Sequence, residues 1–151
     1  MGSKQTAGTL DEAQEGFTAQ ERAAMKDRAE EVRKSSRRGA KADPEAEVLE
    51  KIAEMAEGDR LLAARVHEIV RTAAPQLTPR LWYGMPAYSK DGKVLCFFKC
   101  SGKFNTRYSE FGFSDVASLD EGSFWPSAYA LTGITDDIAE RLAELVRKAA
   151  G

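Results

Sequence analysis

The chain has little of what usually announces a chemistry. It carries one histidine, two cysteines and five prolines in 151 residues. A single histidine excludes a histidine-rich metal centre, and as a general base it would need a positioned partner that no motif reveals. Two cysteines in a chain of this length exclude a disulfide scaffold and fit a reducing, cytoplasmic location. No apolar run approaches the ~18 residues of a membrane span. The polar N-terminus lacks the apolar h-region of a secretory signal, so no membrane partner is expected. Gly-rich phosphate loop, nucleophile elbow, CxxC and HExxH are all missing. Most enzyme classes lose their most direct support, and no catalytic residue is assigned. Nor does one sign of charge dominate: 22 Lys and Arg against 24 Asp and Glu give a net charge of -2. A basic, nucleic-acid-seeking surface over the whole molecule is not expected.

What remains is sufficient for a core, with 42% hydrophobic residues. Residues 1–16 are small and polar and are expected to be flexible. Residues 17–42 read as a charged helix and a linker. Thr18 with Glu21 three residues on forms a capping box. The helix has a thin apolar stripe of Met25, Ala29 and Val32, which predicts a free or loosely docked element. Residues 43–150 read as the globular domain. Asp43-Pro44 opens a helix as N-cap and first helical residue. Leu49, Ile52, Ala53 and Ala56 share one face, and Gly58 is its expected stop. Asp59 is the expected cap of a second helix, whose face is Leu62, Val66, Ile69, Val70 and Ala73 and which Pro75 ends. Thr135 caps a last helix with Asp136 and Asp137 in its first turn and Arg147 and Lys148 in its last, as the helix dipole favours.

Between these helices lies most of the aromatic content, over residues 81–113. Residues 81–89 predict a first strand, Asp91-Gly92 a two-residue hairpin turn, and residues 93–100 a second strand. The run Val94-Leu95-Cys96-Phe97-Phe98 is apolar on both faces, so this strand should be central. Alternation over residues 103–109 predicts a half-exposed third strand. Residues 114–122 read as irregular, and residues 124–131 supply a fourth strand held to an edge or bulge by Pro126. The expected fold class is α+β, a three- to four-stranded antiparallel sheet packed against helices, with an N-terminal charged helix.

Four groups of side chains could carry a function. Cys96 and Cys100 share a strand face but lie roughly 13 Å apart at strand rise, too far for one disulfide or one metal ion; they read as core. Glu50 with Glu54, and Asp136 and Asp137 with Glu140, make acidic helix faces that could hold a hard cation or could simply be solvated. Arg33, Lys34, Arg37, Arg38 and Lys41 form a basic cluster for an acidic partner or nucleic acid. Residues 21–41 hold eight basic and four acidic side chains, and no aromatic interleaves for stacking on bases, so nucleic acid is disfavoured. Trp82, Tyr83, Tyr88, Arg107 and Tyr108 place polar-tipped aromatics and a guanidinium on neighbouring strands, as a small-molecule pocket would need. Core packing is the alternative. His67 reads as a surface or boundary residue.

The stretch Trp82-Tyr83-Gly84-Met85-Pro86-Ala87-Tyr88, with the hairpin and Lys93-Val94-Leu95-Cys96-Phe97-Phe98 after it, resembles the YdhG-like family of bacterial domains of unknown function. That family has a YGMPAF-like strand followed by an apolar one; Tyr88 stands where the phenylalanine would be. The resemblance spans about residues 45–150. It implies an architecture similar to frataxin, in which helices cover an antiparallel sheet. One member is assigned as an intracellular iron chaperone, so the resemblance also implies iron as a cargo and iron–sulfur assembly proteins as partners. It supplies no ligand set that transfers residue by residue. The expectation is a non-enzymatic binding protein of iron-chaperone type. The alternatives are a small-molecule domain using the aromatic sheet face and an adaptor working through the basic helix.

Overall fold

The computed structural model describes residues 16–37 and 43–151. The expected flexible segment up to residue 15, and the linker residues 38–42 with Arg38 and Lys41, lie outside the described residues. The first helix, α1 (Ala19–Arg37), opens with the capping box. The Glu21 amide donates to Thr18 Oγ1 at 3.0 Å and the Thr18 amide to Glu21 Oε1 at 3.3 Å. Helix α2 (Pro44–Ala53) is capped by Asp43, which accepts from the Glu45 amide at 3.0 Å. Helix α3 (Glu57–Ala73) follows almost at once. Gly58 therefore lies inside α3 and stops nothing, and Asp59 is in its first turn, not its cap, because its carboxylate is engaged elsewhere.

Five strands form one antiparallel sheet in chain order: β1 (Thr78–Trp82), β2 (Met85–Lys90), β3 (Lys93–Lys99), β4 (Ser109–Phe113) and β5 (Ala128–Leu131). The expectation of three to four strands falls short because residues 81–89 are not one strand. Tyr83 and Gly84 have φ of 54° and 74°, the paired positive values of a type I′ hairpin turn. Asp91 and Gly92 repeat this at 51° and 79°, as their residue types announce. Chain reversal at Tyr83-Gly84 sets Trp82 opposite Met85. These two share a face, contrary to simple alternation along one strand.

The third strand also differs. Residues 101–104 wind into a one-turn helix, α4 (Ser101–Phe104), closed by Asn105 at φ 54°. Asp59 causes this. Its carboxylate accepts from Ser101 Oγ at 2.8 Å and the Gly102 amide at 3.0 Å, and it holds Ser109 Oγ at 3.2 Å where β4 begins. Strand pairing starts only at Ser109. Residues 114–127 are largely irregular, and α5 (Asp136–Ala150), capped by Thr135, ends the fold.

The sheet has two unlike faces. On the inner one, Tyr88, Cys96, Phe98, Phe111 and Leu131 meet Val66 and Val70 of α3 and Leu142 and Val146 of α5 in one cluster. A register shift beside Tyr88 lets Leu95 join Cys96 in this core. Each fully buried Val, Leu or Phe contributes roughly 1.5–3 kcal/mol, so the inner face is the main source of stability. The outer face carries Trp82, Met85, Ala87, Phe97 and Gly112 through the same register. Helix α1 crosses part of it, against β1 and α4. Among the described residues, no helix is long and apolar enough to cross a membrane.

Candidate functional site

Helix α1 and the outer sheet face enclose an open groove of about 480 Å³. Trp82, Met85 and Phe97 make its floor, Tyr83 and Phe104 its flank, and Phe17, Ala24 and Met25 of the α1 region its roof. The aromatic rings brace one another. Trp82 meets Tyr83 edge-on with centroids 5.1 Å apart, and Phe97 at 5.3 Å. Phe97 lies flat because its cross-strand partner is Gly112: a Cβ there would come within 3.0 Å of three atoms of the ring. One glycine thus sets the depth of the floor. Lys99 and Glu110, paired across β3 and β4 at 3.9 Å, supply the polar rim with Glu21. Lys99 Nζ also stands 5.0 Å from the Phe104 ring centre.

The roof is anchored by polar contacts. Glu31 of α1 accepts both amides of the β1–β2 turn, from Tyr83 at 2.9 Å and Gly84 at 2.7 Å. Asp27 pairs with Lys103 of α4, and the Arg28 guanidinium lies 6.0 Å from the Tyr83 ring centre. Among the described side chains of α1, Ala24 alone is buried, while Met25 and the nearby Phe17 remain 38% and 46% exposed. The expectation of a free or loosely docked helix counted only its apolar stripe. A carboxylate gripping two turn amides leaves no trace in such a count.

Of the five aromatic-site residues, the structure brings Trp82 and Tyr83 together in this groove. Tyr88 lies on the opposite face with no exposure. Arg107 is exposed and stacks over Tyr108 at 5.1 Å, and neither lines the groove. The expected strand over residues 103–109 does not form: Arg107 and Tyr108 follow α4 and precede β4, off the strands that carry Trp82 and Tyr83.

Tyr88 instead forms the buried end of a polar chain that reaches the half-exposed Glu45 and Arg71. His67 Nδ1 is 2.9 Å from the Tyr88 hydroxyl and Nε2 is 3.0 Å from Glu45 Oε1. Arg71 Nε donates to the same oxygen at 3.1 Å and its Nη1 to the Leu77 carbonyl at 3.0 Å. Burial pushes the Tyr88 hydroxyl far above its ordinary range, so it stays a neutral donor. His67 is only 8% exposed, a correction to its reading as a surface or boundary residue. The signal was present, since Ala63, Val66, His67 and Val70 share one helical face. The chain ties α2, α3 and β2, and the closed surroundings of Tyr88 give a substrate no approach to it.

A second cleft, of about 360 Å³, lies where Asp59, Cys100, Gly102 and Lys103 meet Lys51 and Glu54. Partial burial would raise the Asp59 carboxyl, but hydrogen bonds from Ser101, Cys100, the Gly102 amide and Ser109 outweigh it and hold it below the usual range. Burial, then the Asp59 charge, pushes the Cys100 thiol up, which disfavours the nucleophilic thiolate. Burial does the same to Cys96. Both cysteines are free and buried, as a core role requires.

The acidic candidates are scattered. Glu50 and Glu54 are exposed on α2, with Glu54 paired to Lys51 at 3.6 Å. Asp136, Asp137 and Glu140 are exposed on α5. Among the described residues, no three His, Cys, Asp or Glu side chains converge as a metal site would need. In the basic cluster, Arg33 and Lys34 are exposed on α1 and Arg37 closes that helix. No protein-family model matches the chain, and neither the curated proteins nor the solved structures contain a significant match to it.

Proposed function

We propose that the chain is a small-molecule-binding domain and that its site is the groove between α1 and the outer sheet face. The observation that carries this is a groove lined by the rings of Trp82, Phe97 and Phe104 that α1 roofs without filling. Its volume lies in the ~300–1,000 Å³ range of small-molecule sites, and one polar pair beside an apolar lining is their usual composition. The ligand that fits is planar and largely apolar. It stacks on Trp82 and Phe97 and turns one polar group toward Lys99 and Glu110.

Titration of the full chain with 2-naphthoate and with 2-naphthylamine, followed by amide and indole NMR shifts, tests this. Saturable shifts are expected at Trp82, Phe97 and Lys99. Phe97→Ala should weaken them at least about tenfold, which is about 1.4 kcal/mol. Arg107→Ala should leave them unchanged. Shifts that never saturate, or that ignore Phe97→Ala, would overturn the proposal.

A further inference from the structure

The two edges of the sheet are treated differently. Edge strands present unpaired amides and carbonyls, and proteins blunt them with proline, charge or a covering element. Strand β1 has all three: Pro79, Arg80 and helix α2 packed alongside. Strand β5 has none. Its sequence, Ala128-Tyr129-Ala130-Leu131, carries no charge and no proline. It is the last strand of the sheet, and among the described residues its outward main chain meets no further strand. Close by in sequence, Phe124 is 92% exposed.

Helix α5 borders the same edge. Ile138, Arg141, Leu142 and Leu145 line a cleft of about 200 Å³ with Tyr129–Gly133. Beside them runs an exposed stripe at helical spacing: Asp137, Arg141, Glu144 and Lys148. Its charges alternate: minus, plus, minus, plus. Such a stripe is complementary to itself when reversed. Two antiparallel copies set Asp137 against Lys148 and Arg141 against Glu144, twice over. Within one chain Lys148 meets Glu121 at 3.0 Å, an exposed pair that can exchange partners at little cost.

We propose that β5 and α5 together form a self-association surface, whose partner is a second copy of this chain. Pairing β5 with its symmetry mate antiparallel continues the sheet across a two-fold axis. The same axis sets the two α5 helices side by side and reversed, the arrangement that the charge stripe fits. A two-fold interface requires a self-complementary patch, and both the strand edge and the stripe satisfy that. A partner of other sequence would satisfy the strand edge but has no reason to match the stripe. With only four residues in the edge strand, the dimer is weak, with a Kd in roughly the micromolar range.

Sedimentation equilibrium of the full chain over a concentration series reads the association. Arg141→Glu, at an exposed position, sets like charges against Glu144 of the second copy and should raise Kd at least about tenfold. The exchanged pair Arg141→Glu/Glu144→Arg should restore it. Ala130→Pro should also dissociate the dimer, with circular dichroism checking that the variant folds. Hydrogen exchange should show concentration-dependent protection of the β5 amides. A monomeric mass up to roughly 1 mM, or a dimer indifferent to Arg141→Glu, would overturn the proposal.

Discussion

Replacing Glu31 by alanine should detach α1 and leave the domain folded. Glu31 accepts two turn amides, and its side chain is 12% exposed. A hydrogen bond to a charged group contributes roughly 1.5–3 kcal/mol, so two could supply about 3–6. Water can reach the turn amides once the helix leaves, which lowers the net loss to about 2–4 kcal/mol. Even the lower figure makes the undocked state about 30 times more populated. Detached, α1 should fray, because helices of this length are marginal in water without tertiary packing. Its other described anchors include the Asp27–Lys103 ion pair, the Arg28 contact with the Tyr83 ring and the burial of Ala24.

Hydrogen exchange read by mass spectrometry is the suitable assay, since local opening and global unfolding separate in it. Peptides from α1 should exchange about 30-fold faster in Glu31→Ala, while those from β3, α3 and α5 should hold their protection. Trp82 emission should shift to the red as the groove loses its roof. Glu31→Gln, which keeps an acceptor and loses the charge, should fall between. Unchanged exchange in α1 would refute the anchoring role. Uniform loss of protection throughout would show instead that α1 belongs to the cooperative core.

Gly112→Ala should displace the Phe97 ring and shallow the groove, costing about 1–3 kcal/mol in a urea titration; wild-type stability with unchanged 2-naphthoate binding would disprove the floor geometry. Tyr88→Phe keeps the ring but leaves His67 Nδ1 buried without its partner, at about 1–3 kcal/mol. Adding His67→Leu should recover part of that, and a strictly additive double variant would refute the coupling. Asp59 titrates below its ordinary 3.8, so the native state binds its proton less readily than the unfolded chain. Its contribution is complete above 3.8 and is lost as pH falls through the lowered native value. Asp59→Asn should therefore be less stable at neutral pH and show a flatter acid limb; an acid limb identical to wild type would exclude this role.

The elements legible in the sequence are those set by local chemistry. Asp43-Pro44 and Thr135 mark helix starts, Asp91-Gly92 marks a turn, and the apolar run of β3 marks the centre of the sheet. The rest depends on distant partners. Tyrosine at the first position of a two-residue hairpin costs roughly 1–2 kcal/mol relative to glycine in that conformation. No local rule places it there. What holds it is Glu31, 52 residues away, on its amide and Trp82 against its ring. Helix α4 exists where alternation reads strand because Asp59, 42 residues before Ser101, satisfies its first polar groups.

Both departures share an origin that bears on the site. Each involves a carboxylate on a helix reaching main-chain amides of a tight turn, and the two turns flank the groove. Gly84 has room only for hydrogen, since a Cβ there would run into the Lys103–Asp27 pair. The β1–β2 turn, α4 and α1 therefore hold one another in place through polar contacts, while the apolar groove between them stays unfilled. A surface needed only for stability would be closed by apolar side chains, as the inner face is. This one is held by polar contacts at its margins and left open at its centre, the arrangement on which the proposed small-molecule site rests.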